Sequence, residues 1–219
     1  MKSADGCFLP EDRGYVVEHD LWFKNVAENR YLVGACQPFL FMAGRPKKVN
    51  VRGKGTLVRR NTAIALVVSS KMEGALLSPV DLEILHVNDF VLQNPEVLAD
   101  DPYEKGWLAE IICHSTPALT GAETASVLYE QLNSRRGVVC FDIVPHYQMT
   151  VFGESCESIL TKIGNFMSQH VGVGETLYVV TQDPATEVDM INWAEKTGQH
   201  LLGMKRFGKT IHVMYKRMV

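Results

Sequence analysis

The chain has 219 residues, 46% of them hydrophobic and 21% charged, a composition of ordinary folded proteins that excludes disordered, collagen-like and fibrous classes. Lys and Arg total 22 against 25 Asp and Glu, a formal net charge of −3, so there is no electrostatic drive toward nucleic acid or an anionic membrane, because such binding depends on neutralising phosphates. The opening residues MKSADGCFLPEDRGY lack the apolar core and cleavage site of a secretory signal, and no run of about 18 apolar residues offers a spanning helix. A cytoplasmic location is expected.

In chain order, residues 15–80 read as β structure. Tyr31-Leu32-Val33-Gly34 is a short apolar run. Gln37 to Ala43 shows no alternation and reads as a short helical turn or an apolar loop. Lys48 to Arg52 alternates polar and apolar, the period of a half-buried strand, and Gly53-Lys54-Gly55 is turn punctuation. Ala63 to Val68 is a continuous apolar run ending in Ser69-Ser70, and Ala75-Leu76-Leu77 follows after Lys71-Met72-Glu73-Gly74. Two strands joined by a short polar link predict a hairpin with Lys71 near its tip. Ser78-Pro79 breaks the run, and Leu82 to Val87 alternates again. Short strands at this spacing predict a compact barrel or sandwich.

Asn88 to Pro102 reads as a short helix or loop, and Trp107 to Ile112 as a strand. From Pro117 to Arg136, apolar residues at helical spacing predict a helix, stopped by Arg135-Arg136-Gly137. The domain boundary is expected near 136, giving domains 1–136 and 137–219. Val138 to Val144 is a strand candidate. Ser155 to Gln169 is amphipathic, with Ile159, Leu160, Ile163, Phe166 and Met167 on one face. Thr176 to Val180 reads as a strand, Asp183-Pro184-Ala185-Thr186 as the start of a second helix, and Leu201 to Lys205 with Thr210 to Lys216 as a closing strand pair. The order β-α-β-α-β-β predicts a small two-layer sandwich with both helices on one face. The fold class is therefore α+β overall.

The five cysteines, Cys7, Cys36, Cys113, Cys140 and Cys156, are odd in number and form no Cys-x-x-Cys pair. Zinc-ribbon and thioredoxin-type spacings are absent, and all five are expected to remain reduced, most of them packed as small apolar residues. His19, His86, His114 and His146 are scattered without ligand spacing, so no metal site is assigned.

Two residues carry candidate chemistry. Lys71 at a hairpin tip reads either as solvated surface or as the anchor of a swinging arm, whose cofactor does the chemistry while the protein presents it. Cys156 reads either as an ordinary thiol or as a thiolate stabilised by a helix N-terminus and suited to carry sulfur as a persulfide.

From about Tyr15 to His114 the chain resembles the glycine cleavage H-protein family. Val33-Gly34 with Gly44, Gly53 to Val58, Val67-Val68-Ser69-Ser70-Lys71, Ser78-Pro79 and Asn94-Pro95-Glu96 match in order. The most specific run is Asp101-Pro102-Tyr103-x-x-Gly106-Trp107-Leu108. The resemblance implies an all-β lipoyl/biotinyl-type barrel-sandwich (hammerhead) domain, lipoate attached covalently to Lys71, and a lipoate-attaching enzyme as partner. Val68 replaces that family's Glu and Leu82 its Gly. Ser70-Lys71-Met72 half-matches a biotin carrier, which ranks below lipoate.

The last 75 or so residues resemble the TusA-like or SirA-like sulfur carriers, through Gly153-Glu154-Ser155-Cys156, Val173-Gly174-Glu175 and Asp183-Pro184-Ala185-Thr186 with Asp189-Met190-Ile191. This resemblance implies Cys156 as a persulfide carrier, although the family's Cys-Pro-x-Pro is Cys156-Glu157-Ser158-Ile159 here. Together the two resemblances imply a lipoyl carrier working in sulfur transfer or sulfur oxidation. The alternatives are an H protein carrying an aminomethyl group in glycine cleavage, and a non-catalytic adaptor. The first two readings make the chain a carrier subunit with partner enzymes rather than an enzyme in itself.

Overall fold

The computed structural model describes residues 6–113, 139–182 and 186–219. The chain divides into two compact units, residues 1–144 and residues 145–219. The helix expected over Pro117 to Arg136, the boundary near 136 and the Asp183-Pro184-Ala185 helix start lie outside the described residues.

The first unit contains β1 (Gly14–Val16), β2 (Leu21–Ala27), β3 (Arg30–Ala35), α1 (Gln37–Ala43), β4 (Pro46–Val51), β5 (Leu57–Val58), β6 (Ala63–Ser69), β7 (Glu73–Leu77), β8 (Leu82–Val87), α2 (Asp89–Gln93), α3 (Val97–Asp100) and β9 (Trp107–Cys113). Nine strands form a six-stranded sheet in the order β1-β2-β3-β9-β8-β5 and a three-stranded sheet in the order β4-β6-β7. Every pairing is antiparallel. One apolar cluster draws on both sheets and on α1. Leu21, Val33, Ile84, Leu108 and Ile111 come from the larger sheet, Val49, Ile64, Val67 and Leu76 from the smaller, and Phe39 and Leu40 from the helix. Two sheets with one apolar face each are stable only when those faces share a core.

The expectation of an all-β first domain is corrected by the three short helices. Gln37–Ala43 is helical because Pro38 occupies its first turn, where a missing N–H costs nothing, and Gly44 ends it with φ of 82° and an N–H donated to the Leu40 carbonyl. Asn88 caps α2 by accepting the Phe90 N–H.

Two further expectations are overturned here. Residues 139–144 form no strand. Val139, Cys140, Phe141 and Val144 are buried instead, with Val144 in the first unit's core and the Phe141 ring stacked on Phe41 at 6.3 Å. A continuous apolar run looks the same whether it enters a ladder or packs as irregular chain. The second correction concerns the thiols. Cys7 and Cys140 form a disulfide across 133 positions of sequence, while Cys36, Cys113 and Cys156 remain thiols. Burial raises the Cys113 thiol to about 11.

The second unit runs β10 (Tyr147–Val151), α4 (Cys156–His170), β11 (Thr176–Thr181), α5 (Thr186–Thr197), β12 (His200–Phe207) and β13 (Thr210–Lys216). Its sheet order is β10-β11-β13-β12, with β10 and β11 parallel and the other pairs antiparallel. A parallel neighbour requires a crossover, which α4 supplies. Ile159, Ile163 and Met167 of α4 and Met190 and Ala194 of α5 share one cluster with Leu177, Val179, Val213 and Tyr215. Both helices therefore turn their apolar stripes to the same sheet. No helix among the described residues is long and apolar enough to cross a membrane.

Candidate functional site

Lys71 is the middle residue of the three-residue connection, Ser70 to Met72, between β6 and β7, whose last pair is Val68 with Glu73. Neither Ser70 nor Lys71 adopts positive φ; among the described non-glycine residues only Asp20, Asn29 and Asn61 do. Two- and three-residue hairpin loops usually need at least one residue at positive φ, and Met72 does not supply it either. Here the Ser69 side chain contributes to the closure. Its hydroxyl oxygen accepts the backbone N–H of Lys71 at 3.0 Å and of Met72 at 3.1 Å, while the Ser69 N–H donates to the Met72 carbonyl at 2.9 Å.

The tip rests on the C-terminal end of α1. The Ser69 hydroxyl donates to the Ala43 carbonyl at 2.6 Å, and Lys71 Nζ donates to the Met42 carbonyl at 2.5 Å. These are carbonyls that a helix leaves without intrahelical donors. Gly74 permits the approach, since a Cβ there would stand 3.1 Å from the Phe39 ring of α1. The other end of α1 is fixed by the Pro-Tyr run. The Tyr103 hydroxyl accepts the Gln37 N–H at 3.1 Å, and Gly106 folds back on Asp101, leaving no room for a Cβ, which would stand 2.7 Å from the Asp101 carbonyl. The most specific motif of the sequence thus holds the helix on which the lysine hairpin rests.

Lys71 is exposed, yet partial desolvation at the tip lowers its pKa from the ordinary lysine value. A lowered pKa enlarges the neutral, nucleophilic fraction of the amine. An accessible amine on a short, braced hairpin fits a covalently attached acyl arm. On β6, Val68 is flanked in register by Lys48 and Glu73, so a carboxylate stands on the neighbouring strand.

Cys156 is the first residue of α4, after Ser155, whose hydroxyl accepts the Ser158 N–H at the helix start. Its Sγ donates to Asp189 Oδ2 at 3.0 Å. Both line a groove of about 630 Å³ with Glu157, Leu160, Thr161, Gly164, Asn165 and Trp193. Asp189 stands one turn before Trp193 on α5, and Trp193 meets Tyr215 edge-on at 5.3 Å. Burial, with a smaller contribution from Cys156, raises the Tyr215 phenol well above its usual value. Glu154 is held below the usual carboxylate range by hydrogen bonds from Lys162 and Ser158.

In the sequence, Ser69 and Asp189 stand only as motif letters, and Met42 and Ala43 only as part of an apolar stretch. The contacts of all four are tertiary, and spacing alone carries no signal for them. Lys71 and Cys156 belong to different units.

The family model for the glycine cleavage H-protein matches residues 13–133. A probable glycine cleavage system H protein 2 of Sulfurisphaera tokodaii is 34% identical over 142 residues, covering 62% of this chain and 96% of that protein. Glycine cleavage system H protein 5 of Aquifex aeolicus is 33% identical over 153 residues, covering 64% and 99%. The crystal structure of a glycine cleavage system H protein from Mycobacterium marinum matches with a TM-score of 0.50 at 26% identity, covering 56% of this chain and 98% of that one. On these matches the chain belongs to the glycine cleavage H-protein family, whose members carry lipoate attached covalently to a lysine.

Proposed function

We propose that Lys71 is the lipoylated lysine and that the chain is a mobile carrier between the enzymes of a glycine cleavage system, loaded by a lipoate-attaching enzyme. The observation that carries this reading is the exposed Lys71 amine at the tip of a braced hairpin, inside the stretch matched by the family. The bound group supplies a disulfide–dithiol pair for holding an aminomethyl cargo. The protein supplies presentation: a rigid platform in β6, β7 and α1, and a single exposed attachment point. Intact mass and peptide mapping of native material test it. A lipoyl-sized increment on Lys71, lost in Lys71→Arg, is expected, followed by methylamine loading in the presence of a glycine decarboxylase. An unmodified Lys71 in native material overturns the reading and leaves an adaptor.

A second reading rests on Cys156. It takes the C-terminal residues, 137–219 by the sequence boundary, as a TusA-like sulfur-carrier domain and makes the lipoyl arm part of sulfur transfer. The β-α-β-α-β-β order of the second unit supports it, as does a thiol at a helix start opening into a groove. Absence of the two flanking prolines and the Asp189 carboxylate at the sulfur weigh against it. Incubation with a persulfide donor, followed by mass mapping, decides between the two. A sulfur-sized increment on Cys156, absent in Cys156→Ser, supports sulfur carriage; labelling of Cys156 no faster than Cys36 removes it.

A further inference from the structure

We infer that Ser69 is a positioning residue for acylation of Lys71, an inference that rests on Lys71 being the attachment lysine. The hairpin must bring its lysine amine out at a fixed angle, but its three connecting residues, Ser70, Lys71 and Met72, lack the positive φ that most short hairpin loops use. The Ser69 hydroxyl contributes to the closure. Ser69 Oγ accepts the N–H groups of Lys71 and Met72 at 3.0 and 3.1 Å and donates to the Ala43 carbonyl at 2.6 Å. It therefore fixes the backbone of the lysine itself and ties the tip to α1, whose next carbonyl, that of Met42, receives the lysine amine.

In the reaction concerned, the neutral Nζ attacks the carbonyl carbon of an activated acyl donor such as a lipoyl adenylate. A C–N bond forms, the acyl–phosphate bond breaks, the nucleotide leaves with the bonding electron pair, and Nζ gives up one proton to solvent. The attack succeeds only from a narrow range of angles and distances. A tip loosened at its root samples that range less often, although the lysine remains present and exposed. Ser69 touches no reacting atom; it acts through the Lys71 backbone.

The test is the initial rate at which a purified lipoate ligase, with lipoate and ATP, modifies the full-length protein and its Ser69→Ala, Ser69→Thr and Lys71→Arg variants. Thermal midpoints are recorded in parallel. Ser69→Ala is expected to lower kcat/KM for the carrier by about tenfold, the effect of one lost set of hydrogen bonds. Ser69→Thr, which retains the hydroxyl, should return it to within about twofold, and both midpoints should stay within a few degrees of the parent. A Ser69→Ala rate equal to the parent's overturns the inference while leaving Lys71 in place. So does a Ser69→Thr variant as slow as Ser69→Ala. Incorporation into Lys71→Arg at the parent rate instead removes the assignment of Lys71, and the role of Ser69 falls with it.

Discussion

Lys71 combines two demands that usually conflict, exposure and a lowered pKa. The side chain reaches solvent, yet its amine lies against the end of α1, where desolvation disfavours the ammonium. With the pKa below that of an ordinary lysine, the neutral amine is more abundant at any pH beneath it. Lys71 should therefore be acylated by a small amine-directed reagent at lower pH than a lysine in an unstructured peptide, with the rate still rising as pH increases. Peptide mapping of the extent of acylation against pH measures this; coincident curves would contradict the desolvation seen at the tip. Cys156 opens α4, where an anion is favoured, and its S–H donates to the Asp189 carboxylate at 3.0 Å.

At the scale of elements, the site is a stack of supports rather than a pocket. The loop from Asp101 to Gly106 holds the N-terminal end of α1 through Tyr103, and the C-terminal end of α1 receives the β6–β7 tip. The same loop accepts a hydrogen bond from Trp22 Nε1 at the Pro102 carbonyl, and Arg13 stacks over the Trp22 ring at 4.7 Å. Trp22 lies across Gly34, its partner in the β2–β3 register. A Cβ at Gly34 would come within 2.4 Å of the fully buried indole. Gly34→Ala should therefore destabilise the first unit by about 1–3 kcal/mol, the usual cost of overpacking a filled core. Urea unfolding followed by tryptophan fluorescence would reveal it as a lower midpoint at unchanged slope; an unchanged midpoint would mean that the indole moves aside freely.

For the whole molecule, the disulfide has the longest reach. Cys7 and Cys140 are both buried and close a loop spanning 133 sequence positions, tying the start of the first unit to its end. In the chain-entropy account, closing a loop of that length stabilises the folded state by about 2–5 kcal/mol. Complete reduction, or Cys7→Ser with Cys140→Ser, should lower the thermal midpoint of the first unit by several degrees. Calorimetry with and without a dithiol reductant tests this, and identical transitions would show that the bridge adds no stability. Two compact units also predict that unfolding need not be a single two-state transition.

Much of the strand pattern was legible in the residues because each segment's period matched its final environment. Ala63 to Val68, Leu82 to Val87, Trp107 to Ile112, Thr176 to Val180 and the helix from Ser155 all carry a pattern that survives folding. The hairpin carrying Lys71 was legible as well, since two apolar runs around a short polar link read as two paired strands. What failed was ambiguous locally. Val138 to Val144 is as apolar as a strand but is used as irregular packing, and the strand beside β11 is Tyr147–Val151. The pairing of Cys7 with Cys140, the seat of Lys71 on α1 and the carboxylate beside Cys156 join residues 133, 29 and 33 positions apart. Periodicity, the hairpin and the family motifs are written in the residues, because they depend on neighbours along the chain. Which distant groups meet is set by packing, because that depends on how the elements share a core.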